Sequence, residues 1–191
     1  MRLTSRLYAT EQDLEQMQDL LMEGCSRTDD WHYAHVGDLM WRFFMMACPL
    51  NPHAHIRLWH DGDNGTLVGY AILGEDPSFD WQVLPEYEWS GIEIEAIAWA
   101  ETLLAELRKR NARQWGGSLA SGARQDNGRR RVFLGQHGFR YSGEFAEVNM
   151  LRSLDAPISE STLPTGYQIR VVAGADEIPK RAVAHREVWL P

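Results

Sequence analysis

Apolar positions change their period several times along this chain, and each change marks an element. Residues 3–8 read as a short strand, after which Thr10 offers a capping oxygen and Glu11 and Asp13 place acid in the first turn of a helix. That helix presents Leu14, Met17 and Leu21 on one face through three- and four-residue steps, and Gly24 is its expected stop. A second helix, about 34–48, carries Leu39, Met40, Phe43, Phe44 and Ala47 and halts before Pro49. The period then drops to two. Ile56, Leu58 and His60 alternate with Arg57 and Trp59, and the run Asp61-Gly62-Asp63-Asn64-Gly65 tolerates the positive φ of a tight hairpin. Leu67 to Leu73 is apolar enough for a central strand, and Phe79 to Leu84 reads as the next, terminated by Pro85.

Residues 91–110 give the clearest helix, with a stripe of Ile94, Ile97, Ala100, Leu104 and Leu107 and with Glu106 four residues before Arg110. A short strand is expected around Trp115 to Leu119, then a helix from Asn127 to His137 with Gly138 as its C-terminal cap and Phe139 packing back. Residues 139–152 read as a closing pair of strands, the second being Phe145 to Leu151. The whole order, βααβββαβαββ, predicts an α/β fold of the α+β kind, with helices over a mixed sheet.

The periodicity then lapses. Residues 155–165 are polar and contain two prolines, as a linker does. Beyond it come one strand, Tyr167 to Val172, and one helix, about Asp176 to Trp189, on which Ile178, Ala182 and Val183 are expected to be buried. This ending repeats the beginning. Arg6-Leu7-Tyr8-Ala9 aligns without gaps to Arg170-Val171-Val172-Ala173, Asp13 matches Glu177, and Leu14 matches Ile178. The offset is one domain plus a linker, as tandem duplication produces. The expected organisation is a domain at 1–154, a linker at 155–165, and at 166–191 the first strand and helix of a second domain.

Composition narrows the function. A net charge of −8 opposes a role in neutralising nucleic-acid phosphates. The N-terminus has no apolar signal core, and the longest apolar run, Phe43 to Leu50, is far too short for a bilayer. A cytoplasmic protein with no membrane partner is expected, its two cysteines, Cys25 and Cys48, reduced and buried.

Two segments carry a family resemblance. The run Asn127-Gly-Arg-Arg-Arg-Val-Phe133-Leu134-Gly-Gln-His-Gly138-Phe139 keeps the spacing of the pattern Asn-x-x-Ala-x-x-Leu-Tyr-x-x-x-Gly-Phe. The run Val83-Leu84-Pro85-Glu86-Tyr87-Glu88-Trp89-Ser90-Gly91-Ile92-Glu93 is similar to Val-x-Pro-x-x-Arg-Gly-x-Gly-x-Gly/Ala. Both patterns, and the order of elements over 1–154, resemble the GNAT superfamily of N-acetyltransferases. The resemblance implies acetyl-CoA as co-substrate, held by Val83 and Leu84, by Trp89, Ser90, Gly91 and Ile92, and by Asn127. In the family the loop amides cradle the pyrophosphate at a helix N-terminus, where close approach favours glycine. Here only Gly91 remains: Glu88 stands for Arg, Trp89 for Gly, and Glu93 for the last small residue. Leu134 stands where the family's acid, a Tyr, is expected, and no general base is identified.

The resemblance leaves two functions open. One is an acetyl-CoA-dependent N-acetyltransferase acting on a primary amine of a small molecule or peptide. The other is a non-catalytic structural or ligand-sensing module that supports an active second domain, with residues 166–191 as a possible homodimer contact. Arg124, Arg129, Arg130 and Arg131 read as a solvated helix face, and Trp31, Trp41, Trp59, Trp81 and Trp89 as packing residues. His53 and His55 are too sparse a pair for a metal site, and none is expected.

Overall fold

The first hydrogen bonds of the fold form within the first thirteen residues. In a computed structural model, which describes residues 2–28, 33–44, 51–74, 77–143, 153, 155, 157 and 162–189, strand β1 (Leu3–Leu7) runs into helix α1 (Glu11–Arg27). Arg6 grips Asp13 through both guanidinium nitrogens, at 2.8 and 2.5 Å, and Asp13 also accepts from the amides of Ala9 and Thr10. The carboxylate thus meets amides that a helix start leaves unpaired. The Arg6 bond, more than any other contact, holds the Asp13 pKa down at about 2. Met17, Leu20, Leu21 and Gly24 form the buried face of α1. Gly24 does not end the helix. A Cβ there would lie 2.5 Å from the Tyr33 ring, so the glycine is required by close approach.

Helix α2 (Val36–Phe44) buries Leu39 and Phe43 but leaves Phe44 exposed, and the single turn α3 (Pro52–His55) leads into the sheet. Ala47 and Cys48 lie outside the described residues, and Cys25 is exposed, not buried. Strands β2 (Ile56–Asp61), β3 (Leu67–Leu73) and β4 (Phe79–Val83) follow as an antiparallel meander, so the sheet order is β1-β2-β3-β4. Every β3 residue is buried, as the unbroken apolar run predicts. One face of the sheet packs Leu58, Tyr70 and Ile72 against α1 and α2. The other packs Trp59, Ala71 and Trp81 against the long helix α4 (Ile92–Arg110). That helix buries Ile92, Ala96, Ile97, Ala100 and Leu104, a stripe rotated from the expected one: Ile94 faces solvent.

Residues 115–119 are not the expected strand. Ala112–Trp115 forms a helical turn, α5, with Trp115 buried, and one parallel bridge joins Ser78 to Ala120. Arg108 binds the carbonyls of Trp115 and Gly117, which draws this stretch toward α4. Helix α6 (Gly128–Gln136) follows, capped by Asn127, and Gly138 takes a φ of 83° beyond its end. Phe139 donates its amide to Leu134 and packs back, as expected. Residues 139–143 form no strand, and Phe145 to Leu151 lies outside the described residues.

Residues 143–191 make a second unit. Tyr167 to Val172 has no strand partner among the described residues, and helix α7 (Ile178–Trp189) leaves Ile178, Ala182 and Val183 exposed. The sequence repeat reappears here as geometry. Arg170 grips Glu177 at 2.7 and 2.6 Å and donates to the Val171 carbonyl, as Arg6 does to Leu7. The Ala173 amide donates to Glu177, as Ala9 does to Asp13, and the Glu177 amide returns to Gly174, as Asp13 does to Thr10.

Two measurements check this account. Because the folded Asp13 pKa is depressed, its contribution is complete above the unfolded value near 4 and is lost as pH falls through about 2. Asp13→Asn should therefore lower stability by about 2 kcal/mol at neutral pH, the gap to wild type closing between about pH 4 and 2 in urea melts. Gly24→Ala should destabilise by about 1–3 kcal/mol despite its better helix propensity, because the new methyl meets the Tyr33 ring.

Candidate functional site

Among the described residues β4 is the last strand of the sheet, and its groups facing away from β3 belong to Phe79, Trp81 and Val83, since Leu84 points its amide inward at Val68. Buried backbone groups need partners. The Phe79 amide finds the Ala120 carbonyl at 2.6 Å. The Trp81 amide takes the Asp80 carboxylate at 2.8 Å, and the Trp81 carbonyl accepts from Arg130 at 3.4 Å. The Val83 carbonyl accepts from the Tyr33 hydroxyl at 2.6 Å, and burial raises that phenol's pKa. Side chains thus hold both backbone groups of Trp81 and the carbonyl of Val83.

Arg130 is the centre of that capping. Its guanidinium lies 3.6 Å from the Trp81 ring centre, pairs with Asp80 at 2.7 Å and reaches Ser121 at 3.4 Å. The side chain is only 13% exposed, so it is not part of a solvated helix face as the sequence suggested. Asp80 is tied again through Gln82, whose own side-chain oxygen accepts from the Ala34 amide.

Beyond Val83 the chain makes a 3-10 turn, Pro85–Tyr87, and enters α4 through residues 88–91. Gly91 has a φ of 112° with open space around its missing Cβ, so backbone conformation, not crowding, requires the glycine. Trp89 sits at φ 62°, a left-handed geometry that costs a bulky residue about 1–2 kcal/mol and a glycine almost nothing. The backbone at this position has the geometry of a glycine turn, while the side chain is an indole.

Glu93 lies within this turn. It is 2% exposed, and its Oε1 accepts the Trp89 amide at 2.7 Å. Oε2 is buried with no hydrogen-bond partner. Burial raises the Glu93 pKa, with Glu88 adding to the rise; the Trp89 amide and Arg129 oppose it. A carboxylate therefore stands where the helix dipole and loop amide favour an anion. Around it, Arg129 lies over the Trp89 ring at 4.8 Å, Phe133 meets both Trp89 and Trp81 edge-on, and its ring lies tilted against His137 at 4.2 Å.

The structure thus gathers most of the residues singled out in the sequence. Val83 and Ile92 share one core cluster, and Trp89 is drawn to α6 through Phe133 and Arg129. Ser90 bonds the Tyr87 carbonyl, and Leu84 is buried on the opposite sheet face. Asn127 caps α6 by accepting the Arg130 amide. Leu134 is core. Sequence reasoning passed over Tyr33, Asp80, Gln82 and the packed state of Arg130. Tested against acetyl-CoA, the turn does not fit a pyrophosphate: Glu93 holds the Trp89 amide and Glu88 adds like charge. His53 and His55 bond the carbonyls of Tyr8 and Leu73, and no cluster of three potential metal ligands occurs among the described residues. Nor is any described helix long and apolar enough to cross a membrane.

No family model and no curated protein matches the sequence. Solved structures do match. A GCN5-related N-acetyltransferase from Sphaerobacter thermophilus aligns at TM-score 0.52 and 15% identity, over 72% of this chain and 43% of that one. An N-acetyltransferase from Staphylococcus aureus Mu50 aligns at TM-score 0.50 and 15% identity, over 75% and 86%. At such identities the likeness concerns backbone alone, and it agrees with the mixed α/β order and the turn into α4 described above. This chain carries the GNAT acetyltransferase fold.

Proposed function

We propose that the protein is an acetyl-CoA-dependent N-acetyltransferase built from two lobes of this fold, in which residues 2–143 are the non-catalytic lobe. The observation that carries the reading is the Glu93 carboxylate seated on the Trp89 amide, with its second oxygen buried and unpartnered. An internal anion there competes with any phosphate for the same amide and repels it besides. The capped edge of β4 supports the same view, because Arg130 and Tyr33 already hold the carbonyls of Trp81 and Val83. The proposal places the transferase site in a second lobe that opens at residue 166, and the paired Arg6–Asp13 and Arg170–Glu177 caps support that duplication.

N-acetyl transfer needs an amine freed of its proton, a carbonyl polarised by an amide or similar donor, and a thiolate that is protonated on leaving. The described residues of 2–143 offer little of this. Asp80, the carboxylate nearest the β4 edge, is held by Arg130 and Gln82, and Leu134 is buried carbon. The acceptor we expect is a primary amine on a small molecule or peptide. A second reading keeps the weak cofactor site of Val83, Leu84, Trp89, Ser90, Gly91, Ile92 and Asn127. It is favoured by the left-handed backbone at Trp89 and Gly91, which retains the shape of a glycine loop.

Calorimetry with acetyl-CoA separates the two. The proposed role predicts a Kd no tighter than about 100 μM, or roughly 5–6 kcal/mol. The combined change Glu88→Arg, Trp89→Gly and Glu93→Gly should tighten binding by about tenfold, or 1.4 kcal/mol, by freeing the amide and removing the repulsion. Low-micromolar binding by the unaltered chain would sink the non-catalytic reading.

A further inference from the structure

Glu93 combines burial with an incomplete set of partners. It is almost wholly enclosed, Oε1 accepts the Trp89 amide, and Oε2 meets no donor among the described residues. A carboxylate so placed carries a charge that neither water nor protein fully compensates, and a proton is the simplest relief. The charged groups nearby are mostly engaged elsewhere. Glu95, two residues on, accepts from the Trp59 indole, Glu86 is bridged to Arg27, and Arg130 to Asp80. Asp61 accepts from the Tyr87 hydroxyl, and His137 turns Nδ1 to the Phe133 carbonyl. Glu88 in the turn disfavours the Glu93 charge, and Arg129 on α6 favours it. Burial outweighs both, so Glu93 keeps its proton to a higher pH than an ordinary carboxyl does.

The turn that Glu93 holds is pinned on either side. Before it, the Tyr87 hydroxyl donates to Asp61 at 2.7 Å and Arg27 bridges Glu86 at 2.6 Å. After it, the Trp59 indole donates to Glu95 on α4 at 2.9 Å. Between these anchors lie residues 88–91, with Trp89 and Gly91 both in left-handed backbone and open space where a Gly91 Cβ would stand. A left-handed tryptophan is costly, so its conformation depends on what holds its amide. That hold is a charge-assisted bond, stronger to a carboxylate than to a neutral acid. Arg129, exposed, stands over the same indole.

We propose that Glu93 is a proton-operated latch on this turn: as the carboxylate it closes the head of α4 to phosphate, and as the neutral acid it yields the Trp89 amide and Arg129 to a phosphate-bearing ligand such as acetyl-CoA. Taking a proton from solvent removes the like charge, weakens the grip on the amide and leaves the helix dipole free to attract an anion. Affinity for such a ligand therefore rises as pH falls. The inference rests on the reading of Glu93 as the internal anion of this site and adds its control by pH.

Calorimetry of the intact chain with acetyl-CoA, beside Glu93→Gln, tests the latch. Glutamine keeps the shape and an acceptor for the Trp89 amide but is uncharged at every pH, and the ligand's own titration cancels in the ratio of the two affinities. The variant should bind about tenfold more tightly near pH 8, and the ratio should fall toward one near pH 5. In the unaltered chain the carbon-13 shift of the Glu93 carboxyl, assigned by its loss in the variant, should titrate above the ordinary 4.5. A ratio that stays near tenfold at every pH overturns the latch and leaves the internal anion standing. A variant no tighter than the unaltered chain near pH 8, or a carboxyl that titrates at or below 4.5, overturns the latch as well. Low-micromolar binding by the unaltered chain near pH 8 overturns both the latch and the reading on which it rests.

Discussion

The edge of β4 is the constraint on which the site depends. A strand that ends a sheet presents backbone donors and acceptors, and where the surroundings exclude water each must find a partner. In this chain the partners come from distant elements: Tyr33 before α2, Arg130 on α6, and the Ala120 carbonyl beyond α5. Each has requirements of its own. Tyr33 reaches Val83 only because Gly24 lets its ring lie against α1. Arg130, taken largely out of water, needs Asp80 and the face of Trp81. The connections that close the fold therefore hold the Phe79 amide, both groups of Trp81 and the Val83 carbonyl along β4.

At the end of the same strand the turn into α4 is closed from within. Trp89 and Gly91 keep a left-handed backbone suited to bringing amides close to an anion, and Glu93 supplies that anion. The carboxylate is poorly solvated, with one oxygen lacking a partner, a cost usually found where a buried polar group serves a purpose. Here it accepts the Trp89 amide at the entry to α4, the contact on which the proposed exclusion of phosphate rests.

How far the sequence shows this depends on distance along the chain. Local signals are faithful: alternation gives β2, the apolar run gives β3, the Asp61–Gly65 turn joins them, and Asn127 and Gly138 bracket α6. Signals that need a neighbour are not. Gly24 looks like a helix stop, yet its role is set by Tyr33. Ile94 fits the stripe of α4, but the face is chosen by the sheet, which takes Ile92 and Ala96. Residues 115–119 have strand composition, and Arg108 draws their carbonyls aside. Arg130 sits in a basic run and is read as solvated, because Asp80 and Trp81 lie about fifty residues away. Glu93 is visible as a departure from a glycine-rich pattern; that it folds back onto Trp89 is not.

The repeat between the two ends of the chain gains meaning only in three dimensions. Six aligned pairs are a slight resemblance, whereas an Arg–carboxylate clamp that in both places also takes the amide four residues before the carboxylate is a shared way of starting a helix. The central claim, however, concerns the first unit: Glu93 occupies the anion position of α4. Hydrogen exchange at the Trp89 amide of the ligand-free protein addresses it directly. The account predicts slow exchange that becomes fast in Glu93→Ala, since the carboxylate is that amide's partner. Exchange in the unaltered chain as fast as at an open loop amide would contradict it.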